Sequence, residues 1–160
     1  MKVRPARPGD EAFILSLAPR FGEFELPPWL SAGEVAQGTA AQLRRALGQM
    51  NQRSTILVAC EAEEPCGFVW LTTVTDFYTG RDVAKISEIA VAQDGQGAGS
   101  ALMRASEAWA RERGSDRVVL NVMEGNARAR AFYARHGYAP EYTMLVKPLQ
   151  HVPGNRRGDS

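Results

Sequence analysis

A glycine-rich run, Gly95-Gln96-Gly97-Ala98-Gly99, joins an apolar strand-like segment to an amphipathic helix and restricts the folds open to this chain. Glycine adopts positive φ at little cost and lets the backbone approach a ligand closely. The first N–H groups of the following helix have no intrahelical partner and lie at the positive end of the helix dipole. The pattern therefore predicts a strand–turn–helix unit that binds an anion, such as a phosphate group.

Two widespread phosphate-binding designs do not fit this run. A nucleotide P-loop ends in Lys followed by Ser or Thr, whereas here Gly99 is followed by Ser100 and Ala101. The dinucleotide fingerprint needs its third glycine where Ser100 stands, and an acidic residue where Asn121 and Val122 end the next strand. On the run alone, a turn that merely begins a helix stays open as an interpretation.

A second motif, from Asn126 to Tyr138, predicts a short helix that ends at Gly137. Asn126 and Tyr133 share one face of this helix, since about 3.6 residues make one turn and the two positions are two turns apart. Taken singly, Asn126 is typical of a helix N-cap and Tyr133 of a half-buried core residue. Taken with the glycine run, they indicate a common site.

The two motifs together resemble those of the GNAT superfamily of acetyl-CoA-dependent N-acyltransferases. The glycine run is similar to the family's pyrophosphate loop, and Asn-x-x-Ala-x-x-Phe-Tyr-x-x-x-Gly-Tyr is similar to its second signature. The resemblance covers roughly residues 54–149 and is strongest over 87–138. It implies an α/β GNAT fold, with a mixed central β-sheet of about six to seven strands flanked by about four helices.

The resemblance also implies a reaction and a set of contacts. An acetyl group would move from acetyl-CoA to a primary amine, of a small molecule or of a peptide or protein, by direct attack in a ternary complex. Backbone and side-chain groups along the strand, the loop and the second motif would bind acetyl-CoA. These residues are Ile89, Ala90, Val91, Gly95, Gln96, Gly97, Ala98, Gly99, Ser100, Asn126 and Tyr133.

Two side chains are the candidate catalytic residues. Tyr133 would protonate the departing thiolate, since a phenol near the sulfur is a workable acid. Glu88 would accept the amine proton, because an acid in an otherwise apolar strand has its pKa raised toward the useful range. Strand alternation allows the opposite interpretation, in which Glu88 faces solvent across from Ile89, whereas a β-bulge would turn it toward the site with Ser87 beside it.

One feature departs from the family's pattern. Members usually carry a bulky residue and an Arg or Gln just before the glycine run, and the segment from Val91 to Gly95 is shorter by two residues. Asp94 is an acidic residue at a place where a phosphate is expected to bind. Backbone N–H groups still provide an anion site in such a loop.

The resemblance also implies that the acceptor binds at two segments, 21–29 and 76–82, which are aromatic and acidic in this chain. Carboxylates would pair with a cationic amine and aromatic rings would form a wall or cation–π contacts. The same residues equally fit a core edge or a dimer contact. The residues assigned to acceptor binding are Phe24, Trp29, Asp76, Phe77 and Tyr78.

Composition narrows the class of protein. The chain has 160 residues, 44% of them hydrophobic, and a formal net charge of +1. We expect one domain over 1–149, a disordered tail over 150–160, a cytoplasmic location, and no nucleic-acid or membrane partner. Cys60 and Cys66 are predicted to be reduced thiols without a metal, and a homodimer stays open.

Hydrophobic periodicity predicts the element order β-α-α-β-β-β-α-β-α-β. The first helix is expected over 11–21, and a capping box of Ser31 and Glu34 predicts the start of the second. Strands at 55–61 and 66–75 predict a hairpin, and the last strand is expected over 142–147.

Two other functions stay open from sequence. The same fold could act as an acyl-CoA-binding sensor or structural module without turnover. A nucleotide-binding protein would follow if the resemblance were accidental.

Overall fold

The computed structural model describes residues 1–149, which form a β-sheet with helices on both faces. The chain also forms 3-10 helices at Pro8–Asp10 and Ala18–Gly22. In chain order the strands and α-helices are β1 Lys2–Pro5, α1 Glu11–Ser16, α2 Ala32–Gly48, β2 Ser54–Glu61, β3 Glu64–Thr75, β4 Asp82–Val91, α3 Ala98–Glu112, β5 Val118–Leu120 and α4 Ala127–Arg135.

The strands lie in the sheet in the same order as in the chain, β1-β2-β3-β4-β5. The first three pairs are antiparallel and the β4–β5 pair is parallel, so the sheet is mixed. The predicted α/β fold with about four helices is confirmed. The sheet of the described residues has five strands, fewer than the six to seven expected.

Two apolar clusters hold the helices against the sheet. Strand residues alternate between faces, so Phe68 packs toward α1 and α2 whereas Val69 packs toward α3. On the first face Ile14 and Leu43 are fully buried, and on the second face Leu102 is. Because helices cover both faces of the sheet, β3 and β4 form a fixed support for the residues at their edges.

The start of α2 follows the predicted capping box. The Ser31 hydroxyl accepts a hydrogen bond from the Glu34 N–H, and the Glu34 carboxylate accepts one from the Ser31 N–H. The first helix is shorter than predicted, because α1 ends at Ser16 and a 3-10 helix follows. Pro19 explains the break, since it offers no N–H to continue the helical hydrogen bonds.

The strand predicted over 142–147 is wrong. Residues 139–149 contain no strand, and Met144 and Leu145 are 81% and 89% exposed. A strand forms only where a neighbour accepts its hydrogen bonds, and β5 offers three residues of edge. The expected tail over 150–160 lies outside the described residues, and the single-domain division stays a prediction.

The β2–β3 hairpin turns through two residues, Ala62 and Glu63, both with positive φ. Cys60 and Cys66 flank this turn, and neither forms a disulfide in the described part of the chain. Burial raises the pKa of the Cys66 thiol, which keeps it protonated.

Candidate active site

A cleft opens where β4 and β5 part. Their parallel pairing ends at Ile86 with Leu120, whereas β4 continues to Val91. The Ala92 N–H donates to the Cys66 carbonyl of β3 at 2.8 Å. Because N–H groups alternate along a strand, those of Ile89 and Val91 point to the opposite edge, into the cleft.

Ala90 differs from its two neighbours. Its carbonyl lies on the β3 side, close to Gly67, and its side chain packs in the cluster of α1 and α2. Of the three predicted strand contacts, the structure therefore brings Ile89 and Val91 to the cleft and leaves Ala90 outside it.

A β-bulge interrupts β4 beside the cleft. Trp70 pairs with Glu88 and Leu71 pairs with Ile86, so Ser87 has no partner on β3. A bulge of this kind turns two successive side chains to similar sides. The Ser87 hydroxyl shares a hydrogen bond of 2.8 Å with Thr72, and Glu88 lies half-buried opposite Trp70.

Glu88 and Tyr133 lie within electrostatic reach of each other in a partly buried place. Burial raises the pKa of the Glu88 carboxyl to about 7, against the opposing effect of Lys85. Burial, and then the Glu88 charge, raises the pKa of the Tyr133 hydroxyl to about 12. The site thus holds a proton donor and a half-ionised carboxylate near neutral pH.

Tyr133 is held in place by α4 and its aromatic neighbours. The ring of Phe132 meets it edge-on with centroids 5.6 Å apart, and the Tyr138 ring lies at 6.0 Å. All three rings pack against the cluster under α3. The second motif therefore places Tyr133 against the end of the sheet where the cleft opens.

The glycine run has the geometry of an anion site. Gly95 and Gly97 have φ of 79° and 82°, and Gly97 is the N-cap of α3. A Cβ on either glycine would meet no atom within 4 Å, so the backbone conformation rather than crowding requires glycine there. No side chain caps the first turn of α3, which leaves its N–H groups to a ligand.

Other members of the run have different roles. The Gln96 amide donates to Gln93 at 2.6 Å, and the Ala98 side chain is buried, so Ala98 offers only its backbone. A Cβ on Gly99 would lie 3.1 Å from the Phe132 ring. This glycine therefore lets α4 pack against the start of α3.

Ser100 is hydrogen-bonded to a histidine behind the loop. His136 Nε2 lies 3.1 Å from Ser100 Oγ, and its Nδ1 lies 2.9 Å from the Phe132 carbonyl. A carbonyl only accepts, so Nδ1 carries the proton, and in the neutral ring Nε2 accepts from Ser100. The single hydroxyl proton of Ser100 is thereby directed to His136, and the hydroxyl has no second proton to donate to a phosphate.

Asn126 is both a helix cap and a candidate ligand contact. Its Oδ1 accepts from the Ala129 N–H at 3.1 Å, and its amide NH₂ stays available to donate. A side chain on the preceding Gly125 would collide with the Glu25 carbonyl. The segment around Glu25, which includes Phe24, therefore lies against the start of α4.

The other predicted acceptor residues are not gathered at the cleft. The Asp76 carboxylate accepts from Thr79 at 2.7 Å and from Arg117 at 2.8 Å, so it organises its own loop. Phe77 and Tyr78 are both 91% exposed at the tip of the β3–β4 hairpin, beyond the bulge. Trp29 is also exposed.

Sequence reasoning missed two arginines at the loop. Arg20, from the 3-10 helix Ala18–Gly22, and Arg128, from the first turn of α4, both bind the Asp94 carboxylate. Arg128 lies inside the second motif, two positions after Asn126, which was a usable signal. Arg20 is distant in sequence from both motifs, and no pattern around it indicated a contact with the loop.

The described residues hold neither a metal-ligand cluster nor a helix that could span a membrane. Within residues 1–149 there is no group of three or more His, Cys, Asp or Glu side chains arranged to hold a metal ion. No helix in that part of the chain has the length and hydropathy needed to cross a membrane.

Comparison with known proteins gives a consistent answer. The model of the Acetyltransferase (GNAT) family matches residues 19–138. The mycothiol acetyltransferase of Salinispora tropica is 33% identical over 147 residues, 86% of this chain and 44% of that protein. An uncharacterized N-acetyltransferase of Bacillus subtilis is 36% identical over 70 residues, 42% of this chain and 26% of that protein.

A solved structure agrees with these sequence relatives. A candidate acetyl transferase of Pyrococcus furiosus superposes with a TM-score of 0.72 and 27% identity, over 92% of this chain and 99% of that one. The chain spans less than half the length of the two curated relatives it matches. With the family match covering most of its length, the chain belongs to the GNAT acetyltransferase family.

Proposed function

We propose that this chain transfers the acetyl group of acetyl-CoA to a primary amine. The observation that carries the proposal is the cleft between β4 and β5, with an anion-binding loop at one end and Glu88 beside Tyr133 at the other. Membership of the GNAT family and a relative named as an acetyltransferase support the same reaction.

Acetyl-CoA fits the groups along this cleft. The loop N–H groups at the start of α3 suit a diphosphate, because they are uncapped and lie at a positive dipole end. The inward N–H groups of Ile89 and Val91 suit amide carbonyls of an extended arm. The free amide NH₂ of Asn126 adds a donor on the facing side.

In the proposed reaction one residue accepts a proton and another donates one. The amine nitrogen attacks the thioester carbonyl carbon and loses a proton to Glu88, directly or through water. The carbonyl oxygen becomes an oxyanion that a cleft-facing strand N–H stabilises. When the carbon–sulfur bond breaks, Tyr133 donates its proton to the thiolate, so the products are the amide and free CoA. The proton held by Glu88 then passes through water to the Tyr133 phenolate, which restores both side chains.

The acceptor approaches from the side of the sheet that carries Glu88. On this side the bulge places the half-buried Ser87–Thr72 hydroxyl pair near Trp70. These groups suit a small amine with polar substituents or a peptide amino group.

The test is calorimetric titration with acetyl-CoA, run beside a free-thiol release assay over polyamines, amino acids, aminoglycosides and peptide N-termini. Binding with thiol release on one amine class supports the proposal and identifies the acceptor class. Binding without release on any amine favours the alternative, an acyl-CoA sensor or structural module. Absence of binding contradicts both.

A further inference from the structure

A bridge of three charged side chains, Arg20, Asp94 and Arg128, crosses the glycine loop. Arg20 Nη2 lies 3.3 Å from Asp94 Oδ2, and Arg20 Nη1 donates to the Ala92 carbonyl at 2.7 Å. Arg128 Nη1 binds the same Asp94 oxygen from the other side. The bridge joins the 3-10 helix Ala18–Gly22, the loop and α4.

The bridge lies at the mouth of the anion site. Asp94 immediately precedes Gly95 and stands three positions before Gly97, the uncapped N-cap of α3. Both guanidinium groups are therefore bound to the residue just before the glycine run. Arg20 also lies 3.9 Å from the Glu23 carboxylate, so two carboxylates balance the two guanidinium groups, and the helix N-terminus adds its partial positive charge.

The two arginines are not equally fixed. The Arg20 side chain is 21% exposed and anchored on the Ala92 carbonyl, whereas the Arg128 side chain is 66% exposed. Arg128 has no such second anchor among the hydrogen bonds of residues 1–149. It is thus the partner that can turn toward an arriving ligand.

A carboxylate held by two guanidinium groups presents the same chemistry as a phosphate. A diphosphate offers more oxygens and more negative charge to those donors than Asp94 does. The Asp94 side chain is 52% exposed, and an ion pair at such a site changes an equilibrium constant by about fivefold or less. A diphosphate can therefore displace it.

We infer that Arg20 and Arg128 form a diphosphate-binding pair, and that Asp94 occupies this pair in the free protein as an internal competitor. The identification of the diphosphate with that of acetyl-CoA rests on the proposed function. A free nucleoside diphosphate or inorganic pyrophosphate carries the same chemistry.

The experiment measures dissociation constants by calorimetry for the wild-type chain, Asp94→Asn, Arg128→Gln and the double variant. Arg130→Gln is the matched control, because Arg130 lies on the same helix but pairs with Glu124 at 3.0 Å. Acetyl-CoA and inorganic pyrophosphate are titrated separately. Thermal melting of each variant checks that it is folded.

The inference predicts opposite signs for the two single variants. Asp94→Asn should tighten binding about two- to fivefold, because it frees the guanidinium groups and removes a like charge. Arg128→Gln should weaken binding about threefold or more. The benefit of Asp94→Asn should shrink in the double variant, and Arg130→Gln should stay within about twofold of wild type.

Three results overturn the inference. Weaker binding in a folded Asp94→Asn variant would make Asp94 a positioning residue rather than a competitor. Equal affinities across all variants would remove Arg128 and Asp94 from the site, and with them the proposed pair. No binding of either titrant to any variant would remove the anion site itself.

The two titrants separate this inference from the proposed function. Pyrophosphate binding that follows the predicted order, without acetyl-CoA binding, supports the diphosphate pair and contradicts the acetyltransferase. If acetyl-CoA binds with thiol release and the Asp94 and Arg128 variants bind it as wild type does, the acetyltransferase is supported and the diphosphate pair is contradicted.

Discussion

At the scale of single residues, the proposed reaction depends on two side chains that titrate in different pH ranges. Glu88 is the only acid on β4 inside the parted region, since Asp82 lies at the far end of the strand. Burial holds its pKa at about 7 and holds that of Tyr133 at about 12. One group can therefore accept a proton near neutral pH while the other retains its own.

Replacing Glu88 by Gln should change the pH dependence of kcat/KM. A base must be ionised, so wild-type activity should fall as pH drops below about 7. Glu88→Gln should lower kcat/KM about 100-fold and flatten this acidic limb. If the variant keeps the fall in kcat/KM at acidic pH that wild type shows, a group other than Glu88 is responsible for it.

The same substitution should alter stability in a pH-dependent way. A carboxyl whose folded-state pKa is raised is destabilising once ionised, so the penalty starts above its ordinary pKa of 4.5 and is complete above about 7. Glu88→Gln should therefore raise the free energy of unfolding at pH 8 by about 1–2 kcal/mol, allowing for partial solvation. Urea unfolding at pH 8 and pH 4.5 measures the difference, and an equal change at both would contradict it.

At the scale of elements, the β2–β3 hairpin has a two-residue turn whose backbone conformation is unfavourable for the residues that occupy it. Ala62 and Glu63 have φ of 47° and 69°, a conformation that suits Asn-Gly. The double substitution Ala62→Asn with Glu63→Gly should raise the free energy of unfolding by about 1 kcal/mol. Thermal denaturation measures it, and unchanged acetyl-CoA affinity serves as the control.

The contact between Gly125 and the segment around Glu25 is a second element-scale feature. Gly125→Ala would drive a methyl group into the Glu25 carbonyl and should lower the free energy of unfolding by about 1–3 kcal/mol. Gly38→Ala, in the open middle of α2, should instead be neutral or stabilising. Similar melting shifts for the two variants would show that the contact is not tight in solution.

At the scale of the whole molecule, function follows from where the sheet stops pairing. β3 and β4 are buried on both faces and hold their positions, while β5 departs after three paired residues. The loop, the bulge and α4 then surround one opening. A sheet that paired fully along β4 would have no cleft there.

Local sequence predicted the parts of this opening that are made locally. Positive φ at Gly95 and Gly97 and the Ser31–Glu34 capping box follow from short-range sterics and hydrogen bonding. The sequence left Glu88 open between plain strand alternation and a β-bulge, and the pairing of β3 with β4 decides for the bulge. The Asp94 bridge to Arg20 and the Gly125 contact join residues far apart in the chain, which no local pattern encodes. The prediction of a strand over 142–147 was wrong for the same reason, because alternation of apolar residues does not specify which strand would pair with it.

The most direct test of the central claim is mass spectrometry of an amine panel after incubation with acetyl-CoA and the wild-type chain or Tyr133→Phe. We expect an acetylated amine from wild type, and about 100-fold slower formation from Tyr133→Phe with acetyl-CoA affinity nearly unchanged. Bound acetyl-CoA with no acetylated amine in any mixture, or equal rates from both proteins, would contradict it.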